Sequence, residues 1–186
     1  MTFSLVSAQI KKAQPEIPAK PEFTSELREL SFLVGSFATD IKVHKTPLTK
    51  AGPGKGTVIC QWVLDSTFLL FNFDEISPAG RFRGHGYLTF DKPEKKYRMW
   101  WFNNQGEGLG LLGDFVRDTL ILQGESQSKD KIVGFKFLWH KQGEKLVMRV
   151  MGDFGEGLKP VLERTSQPLE IGEIKTNAKK QKLEIK

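Results

Sequence analysis

Cysteine, histidine and long apolar runs are scarce in this chain of 186 residues. The single cysteine, Cys60, excludes an intramolecular disulfide framework and leaves the redox compartment open. No apolar run approaches the roughly 18 residues of a membrane-spanning helix, so the sequence predicts no membrane span. The three histidines, His44, His85 and His140, form no His-x-His pair and have no cysteine partner, so we expect no dedicated metal site.

The charge excess is small and unevenly distributed. There are 28 basic and 22 acidic residues, and residues 170–186 alone carry five of the lysines and three of the glutamates. The remaining excess of positive charge is spread too widely along the chain to indicate nucleic-acid binding.

Both ends of the chain differ from its middle. Residues 1–23 are predicted to be a flexible leader, in which Leu5-Val6-Ser7-Ala8-Gln9 has the small-residue spacing of the end of a secretory signal. An ordinary terminus is the alternative, so export to the periplasm is favoured in the first case and a cytoplasmic location in the second. Residues 169–186 are rich in lysine and are predicted to be a mobile tail.

Between these ends, a short helical pattern precedes a long series of β-rich runs. Thr24 offers an N-cap hydroxyl, and apolar residues at helical spacing follow it until Gly35, which predicts one short helix. The turns after it are too short for crossover helices, so neighbouring strands must pair antiparallel. We therefore predict an all-β domain over residues 24–168, a single up-and-down barrel of about ten strands. The predicted strands are Ser36–Lys45, Thr57–Leu64, Thr67–Ile76, Phe82–Phe90, Lys96–Asn103, Leu109–Val116, Thr119–Gly124, Lys131–His140, Lys145–Phe154 and Leu158–Thr165.

Several motifs in this region resemble those of a bacterial calycin-like family, a domain of unknown function related to lipocalin, fatty-acid-binding and nitrobindin barrels. The motifs are Glu29-Leu30-Ser31-Phe32-Leu33-Val34-Gly35-Ser36-Phe37, Trp62 before Phe68-Leu69-Leu70, Gly84-His85-Gly86-Tyr87, Phe90-Asp91, and Tyr97-x-x-Trp100. The resemblance implies a calycin barrel, and Phe37 stands where such barrels usually have tryptophan. Heme-binding relatives use a histidine ligand, but no motif here transfers that role to a particular histidine. We therefore predict no cofactor and keep heme as an alternative.

Two glycine-rich segments look like nucleotide-binding loops but lack the helix that should follow such a loop. Gly108-Leu109-Gly110-Leu111-Leu112-Gly113 has the dinucleotide spacing, but no helix follows it to receive a pyrophosphate. Bends or bulges in a coiled strand explain these glycines better. Gly54-Lys55-Gly56-Thr57 also lacks a helix, and we interpret it as a turn.

The polar candidates depend on which face of each strand points inward. Arg83, His85 and Tyr87 share one side of their strand and would line a cavity if they point inward, whereas outward they form a solvated face. The opposite side of the same strand, with Phe82, Leu88 and Phe90, is more apolar, so the sequence favours that side as the one that faces the core. Arg149 and Arg164 lie near the ends of the last strands, in the region where related fatty-acid-binding barrels place carboxylate-binding arginines, so either could pair with a ligand anion. The alternative for each is a surface position, which the sequence favours. The carboxylates of Asp74 and Glu75 adjoin a turn and are expected to be solvated.

The leading hypothesis is the binding of a small apolar or amphipathic molecule inside the barrel, because the aromatic load is heavy and no catalytic set is assembled. Two alternatives remain open: an isomerase or cyclase that uses His85 and Tyr87 as acid and base, and a structural or partner-binding barrel whose lysine-rich tail makes the contact. The sequence leaves ligand identity, catalysis and oligomeric state undecided. The predicted ligand-binding residues are Trp62, Arg83, His85, Trp101, Asn103, Phe137, Met148 and Arg149.

Overall fold

The computed structural model describes residues 21–128 and 131–169. Apart from residues 21–23, the predicted leader lies outside the described residues. The predicted tail also lies outside them apart from Leu169, whose backbone N–H donates to the carbonyl of Ser36 at 2.8 Å.

The described chain forms a closed barrel of ten antiparallel strands, which confirms the predicted fold class. Each strand pairs with its neighbour in sequence, and the first pairs with the last, so the sheet has no free edge. One helical segment precedes the barrel, with an α-helix, α1, over Ser25–Glu29 and a 3-10 turn over Leu30–Leu33. The strands are β1 Gly35–Val43, β2 Gly52–Val63, β3 Phe68–Ser77, β4 Gly80–Asp91, β5 Lys96–Asn103, β6 Gly108–Val116, β7 Thr119–Ser128, β8 Lys131–Gln142, β9 Lys145–Asp153 and β10 Leu158–Pro168.

Strand β2 begins earlier than the sequence indicates, so the interpretation of its glycine-rich start as a turn is wrong. Gly54 pairs with Ile41 and Gly56 with Thr39 in a continuous antiparallel ladder. A Cβ atom at Gly56 would lie 2.5 Å from the carbonyl oxygen of Asp74 on β3. The glycines are therefore needed because the sheet coils tightly here, and they do not mark the end of a strand.

The helical segment closes one end of the barrel, which we call the closed end. Leu27, Leu30 and Leu33 are buried in the same cluster as the barrel core. The side chain of Thr24 accepts a hydrogen bond from the Leu27 N–H, as the predicted N-cap requires. None of the helices in the described ranges is long and apolar enough to cross a membrane.

The Tyr97 hydroxyl on β5 forms hydrogen bonds with the helical segment. It lies 2.6 Å from the Glu29 carboxylate, to which it donates, and 3.1 Å from the carbonyl oxygen of Glu26. Burial, followed by the hydrogen bond to Glu29, raises the pKa of Tyr97 well above its ordinary value. The phenol therefore stays protonated and remains a donor throughout the neutral range.

Replacing Tyr97 with phenylalanine should lower the free energy of unfolding by about 1–2 kcal/mol, because the ring packing stays and the hydroxyl's hydrogen bonds to Glu29 and Glu26 are lost. Urea unfolding measures this loss. The matched control is Tyr87→Phe, since the Tyr87 side chain lies exposed on the outer face, and there we expect a change within about 0.5 kcal/mol. Equal losses in both variants would mean that the Tyr97 hydroxyl does not hold the helical segment.

Aromatic side chains also cover part of the outside of the barrel. Tyr87, Trp100 and Phe102 on β4 and β5 are exposed, with Phe102 at 50%. Trp100 lies against Phe68, with ring centroids 6.2 Å apart. Strands β3 to β5 are thus apolar on both faces.

Candidate functional site

The interior is packed tightly near the closed end. Leu69, Leu88 and Met99 are fully buried, each with 0% of its surface exposed. A Cβ at Gly86 would lie 2.3 Å from the terminal carbon of Met99, so the side chain of Met99 occupies the space that this glycine leaves. This half of the barrel is a solid core.

The opposite end is open to solvent. Four apolar side chains that alternate inward along their strands there are only half-buried, and no helix of the described residues covers them. We call them the mouth: Phe82, Leu109, Phe135 and Leu162. Since these inward-facing apolar groups remain partly in contact with water, this end presents an apolar surface to solvent.

A cluster of four polar side chains lies buried inside the barrel. Glu75, at 3% exposure, and Arg164, at 5%, form an ion pair, and Thr39 and Ser166 share a hydrogen bond of 2.9 Å. We call these four residues the polar cluster. They are the only buried polar or charged residues in the described part of the chain.

The ion pair has bidentate geometry. Arg164 Nε donates to Glu75 Oε1 at 2.5 Å, and Nη2 donates to Oε2 at 2.7 Å. The third nitrogen, Nη1, lies 3.0 Å from the sulfur of Met148, and the guanidinium carbon lies 4.9 Å from the centroid of Phe73. The protein itself thus contacts all three nitrogens of the guanidinium group.

Strand β2 makes this pair possible. Glu75 is on β3 and Arg164 is on β10, with β2 and β1 between them. A Cβ at Gly56 would lie 2.7 Å from Glu75 Cγ, so the glutamate side chain crosses the strand directly over this glycine. From the sequence, Glu75 is expected to be solvated. That expectation is wrong, because alternation points only its neighbour Asp74 outward, where Arg81 binds it at 2.7 Å.

Three of the predicted ligand-binding residues lie in the interior. Trp101, Phe137 and Met148 are buried. The ring centroid of Trp101 lies 4.8 Å from that of Phe73 and 5.8 Å from that of Phe82 in the mouth, so it connects the mouth to the core.

Trp62 and Asn103 lie at opposite ends of the barrel. Trp62 is half-buried near the closed end, in edge contact with Phe23 at 5.0 Å. Asn103 ends β5 beside the mouth, where its side chain donates to Glu107 and accepts from the N–H groups of Gln105 and Glu107. The amide of Asn103 therefore organises its own loop.

Arg83, His85 and Tyr87 lie on the outer face, which corrects the interior role assigned to Arg83 and His85. The physical reason is alternation, since Gly84 and Gly86 between them are buried and make room for Trp101 and Met99. The His85 ring is bonded through Nδ1 to Asn72 Oδ1 at 2.6 Å. No enclosed acid and base pair is formed by His85 and Tyr87.

Arg149 also lies outside, with 56% of its side chain exposed and Nε 3.7 Å from Glu163. The prediction that Arg149 binds a ligand in the interior is thereby corrected, and the arginine in the interior is Arg164. His44 bonds the same glutamate at 2.7 Å and holds the pKa of the Glu163 carboxyl below its ordinary range. This outer cluster is a solvated ion-pair network of small energetic weight.

The histidines do not fit the heme alternative. His44 and His85 are bonded to Glu163 and Asn72 outside the barrel, and His140 alternates outward beside the buried Trp139. An interior heme would therefore lack a histidine ligand in this chain. Within residues 21–128 and 131–169, no group of three or more His, Cys, Asp or Glu side chains could hold a metal ion.

Cys60 is buried in the core, and burial raises the pKa of its thiol well above the ordinary value. A thiol of this kind is protonated at neutral pH and unreactive.

One surface pocket of about 500 Å³ lies in the β1–β2 loop and is lined by residues 45–51. None of the candidate side chains borders it, so we place the candidate site at the mouth and the polar cluster instead.

Comparison with known proteins gives a likeness of fold. The crystal structure of Rv2717c from M. tuberculosis superimposes with a TM-score of 0.58 at 16% sequence identity, covering 80% of this chain and 100% of that chain. No family model matches the sequence, and no curated protein matches it.

Proposed function

We propose that this calycin-like barrel binds a small apolar or amphipathic molecule in its open half, between the mouth and the polar cluster. The observation that carries the proposal is the contrast between the two halves. At the closed end, Phe23 and Phe32 of the segment that precedes the barrel pack against the half-buried Trp62 and Phe115. At the mouth, no helix of the described residues covers the half-buried apolar side chains. Covering such surface with a ligand is favourable by roughly 25 cal/mol for each Å² of apolar area.

The polar cluster supports the same proposal. Small-molecule sites are mostly apolar and contain a few polar groups that fix the orientation of the ligand. A buried ion pair is weak evidence of a role in stability, because apolar residues of similar volume usually stabilise a core as well or better. An orienting role for these four side chains accounts for their place beneath an apolar mouth.

The enzyme alternative has less support, since His85 and Tyr87 lie on the exposed outer face. The partner-binding alternative depends on the tail, which lies outside the described residues.

A charge placed in the mouth should weaken ligand binding. In Leu109→Asp, we expect the affinity for the neutral fluorescent probe N-phenyl-1-naphthylamine to fall by about tenfold or more, because a carboxylate in the apolar surface must be desolvated when the ligand binds. The control is Leu112→Asp on the same strand, also half-buried but on the outer face, where affinity should not change. The proposal fails if the folded wild-type chain binds neither this probe nor any member of a lipid and retinoid panel.

A further inference from the structure

We infer that the interior site selects uncharged ligands, and that Glu75 enforces this selection by occupying the face of Arg164 that would bind an anion. The inference rests on the proposed function and adds the chemical class of the ligand. Its starting point is the bidentate contact of Arg164 Nε and Nη2 with both carboxylate oxygens of Glu75. These two donors form one of the two edges through which a guanidinium group binds the carboxylate of a ligand.

The rest of the Arg164 guanidinium group is largely enclosed by the protein, since the residue is only 5% exposed. Nη1 points to the sulfur of Met148, and the ring of Phe73 lies 4.9 Å from the guanidinium carbon. Arg164 is the only buried cation in the described part of the chain. The interior is therefore electrically neutral before any ligand enters.

A second carboxylate in this interior would be strongly disfavoured. It would lie beside Glu75 without a cation of its own, or it would displace Glu75 and leave that buried carboxylate unpaired. Both arrangements leave an uncompensated charge in a medium of low polarity, which costs several kcal/mol.

An uncharged oxygen finds a partner in the same cluster. The hydrogen bond between the Thr39 and Ser166 hydroxyls uses one of their two protons, so one O–H remains able to donate. The hydroxyl or carbonyl oxygen of a ligand can accept it. The ligand class that fits is thus a neutral amphipathic molecule with one such oxygen, for example a long-chain alcohol, ketone or ester.

The test compares 1-decanol with decanoate at pH 8 as displacers of N-phenyl-1-naphthylamine from the full chain. For the wild type, we expect decanol to bind at least about tenfold more tightly than ionised decanoate. In Glu75→Ala, Arg164 loses its partner and gains space for a ligand carboxylate. The affinity for decanoate should therefore rise by about tenfold or more and exceed the affinity for decanol. Decanoate should also raise the melting temperature of this variant.

The matched control is Asp74→Ala. It removes the neighbouring carboxylate, which lies on the outer face and contacts Arg81, and it should leave the wild-type preference unchanged. Should Glu75→Ala not fold, Glu75→Gln retains the shape and removes the charge, and the preference should shift in the same direction.

The possible results separate the two proposals. Decanoate binding to the wild type as tightly as decanol would overturn the charge selection and leave the binding function standing. An unchanged preference in a folded Glu75 variant would also overturn it. Failure of the wild type to bind the probe and both displacers would overturn the proposed function itself.

Discussion

Replacing Arg164 with methionine should lower the free energy of unfolding by about 3–5 kcal/mol, because the Glu75 carboxylate then stays buried without a partner. Methionine fills part of the space and keeps the contact with Phe73, so loss of the charge partner dominates the effect. The measurement is urea unfolding at pH 7, followed by tryptophan fluorescence and circular dichroism.

The control is the double variant Glu75→Met with Arg164→Met, which removes both charges. It should recover most of the lost stability, because apolar replacement of a whole buried pair is often close to neutral. A single variant as stable as the double one would show that Glu75 is not held in the interior by Arg164, and the structure of the polar cluster would be incorrect.

Replacing Gly113 with alanine should lower the free energy of unfolding by about 3 kcal/mol. A Cβ at this position would lie 1.8 Å from the carbonyl oxygen of Ile121 on the neighbouring strand, and a backbone atom cannot move aside as a side chain can. The barrel would have to open between β6 and β7 to relieve the contact.

Gly110→Ala is the matched control on the same strand. Its Cβ would meet nothing within 4 Å, so we expect stability unchanged or increased by about 0.4–1 kcal/mol. The pair also tests why glycines recur at dinucleotide-like spacing in β6. Equal tolerance at both positions would refute the packing explanation for Gly113.

The order of strands could be predicted from the sequence, because short turns between alternating segments allow only neighbouring antiparallel pairs. The start of β2 could not be predicted, because Gly54 and Gly56 are typical of turns. Their place in a strand depends on how closely β3 approaches them. That distance is a property of the closed sheet and has no local signal.

The site was harder to predict than the fold, because several strands are apolar on both faces. Trp100 and Trp101 are adjacent, and only the register of β4 and β5 places Trp101 inside. Arg149 and Arg164 are equally plausible candidates on chemistry alone. Three successive residues of β9, from Leu146 to Met148, are buried, which hides the alternation that would have placed Arg149 outside.

The pairing of Glu75 with Arg164 has no signal in a single sequence. The two residues are 89 positions apart, and their contact exists only because β1 pairs with β10 and closes the barrel. The turn next to Glu75 is the reason to expect a solvated side chain there. Alternation shows that Glu75, and not Asp74, points inward, but only once the inner face of β3 is known.

Native mass spectrometry of the protein purified from its own source, compared with the same sample after denaturation, tests most directly whether the open half of the barrel binds a small molecule. We expect a reproducible excess mass that is lost on unfolding, absent from Leu109→Asp and present in Leu112→Asp. A bare mass for the wild type, together with unchanged tryptophan fluorescence across a panel of neutral lipids and retinoids, would contradict it.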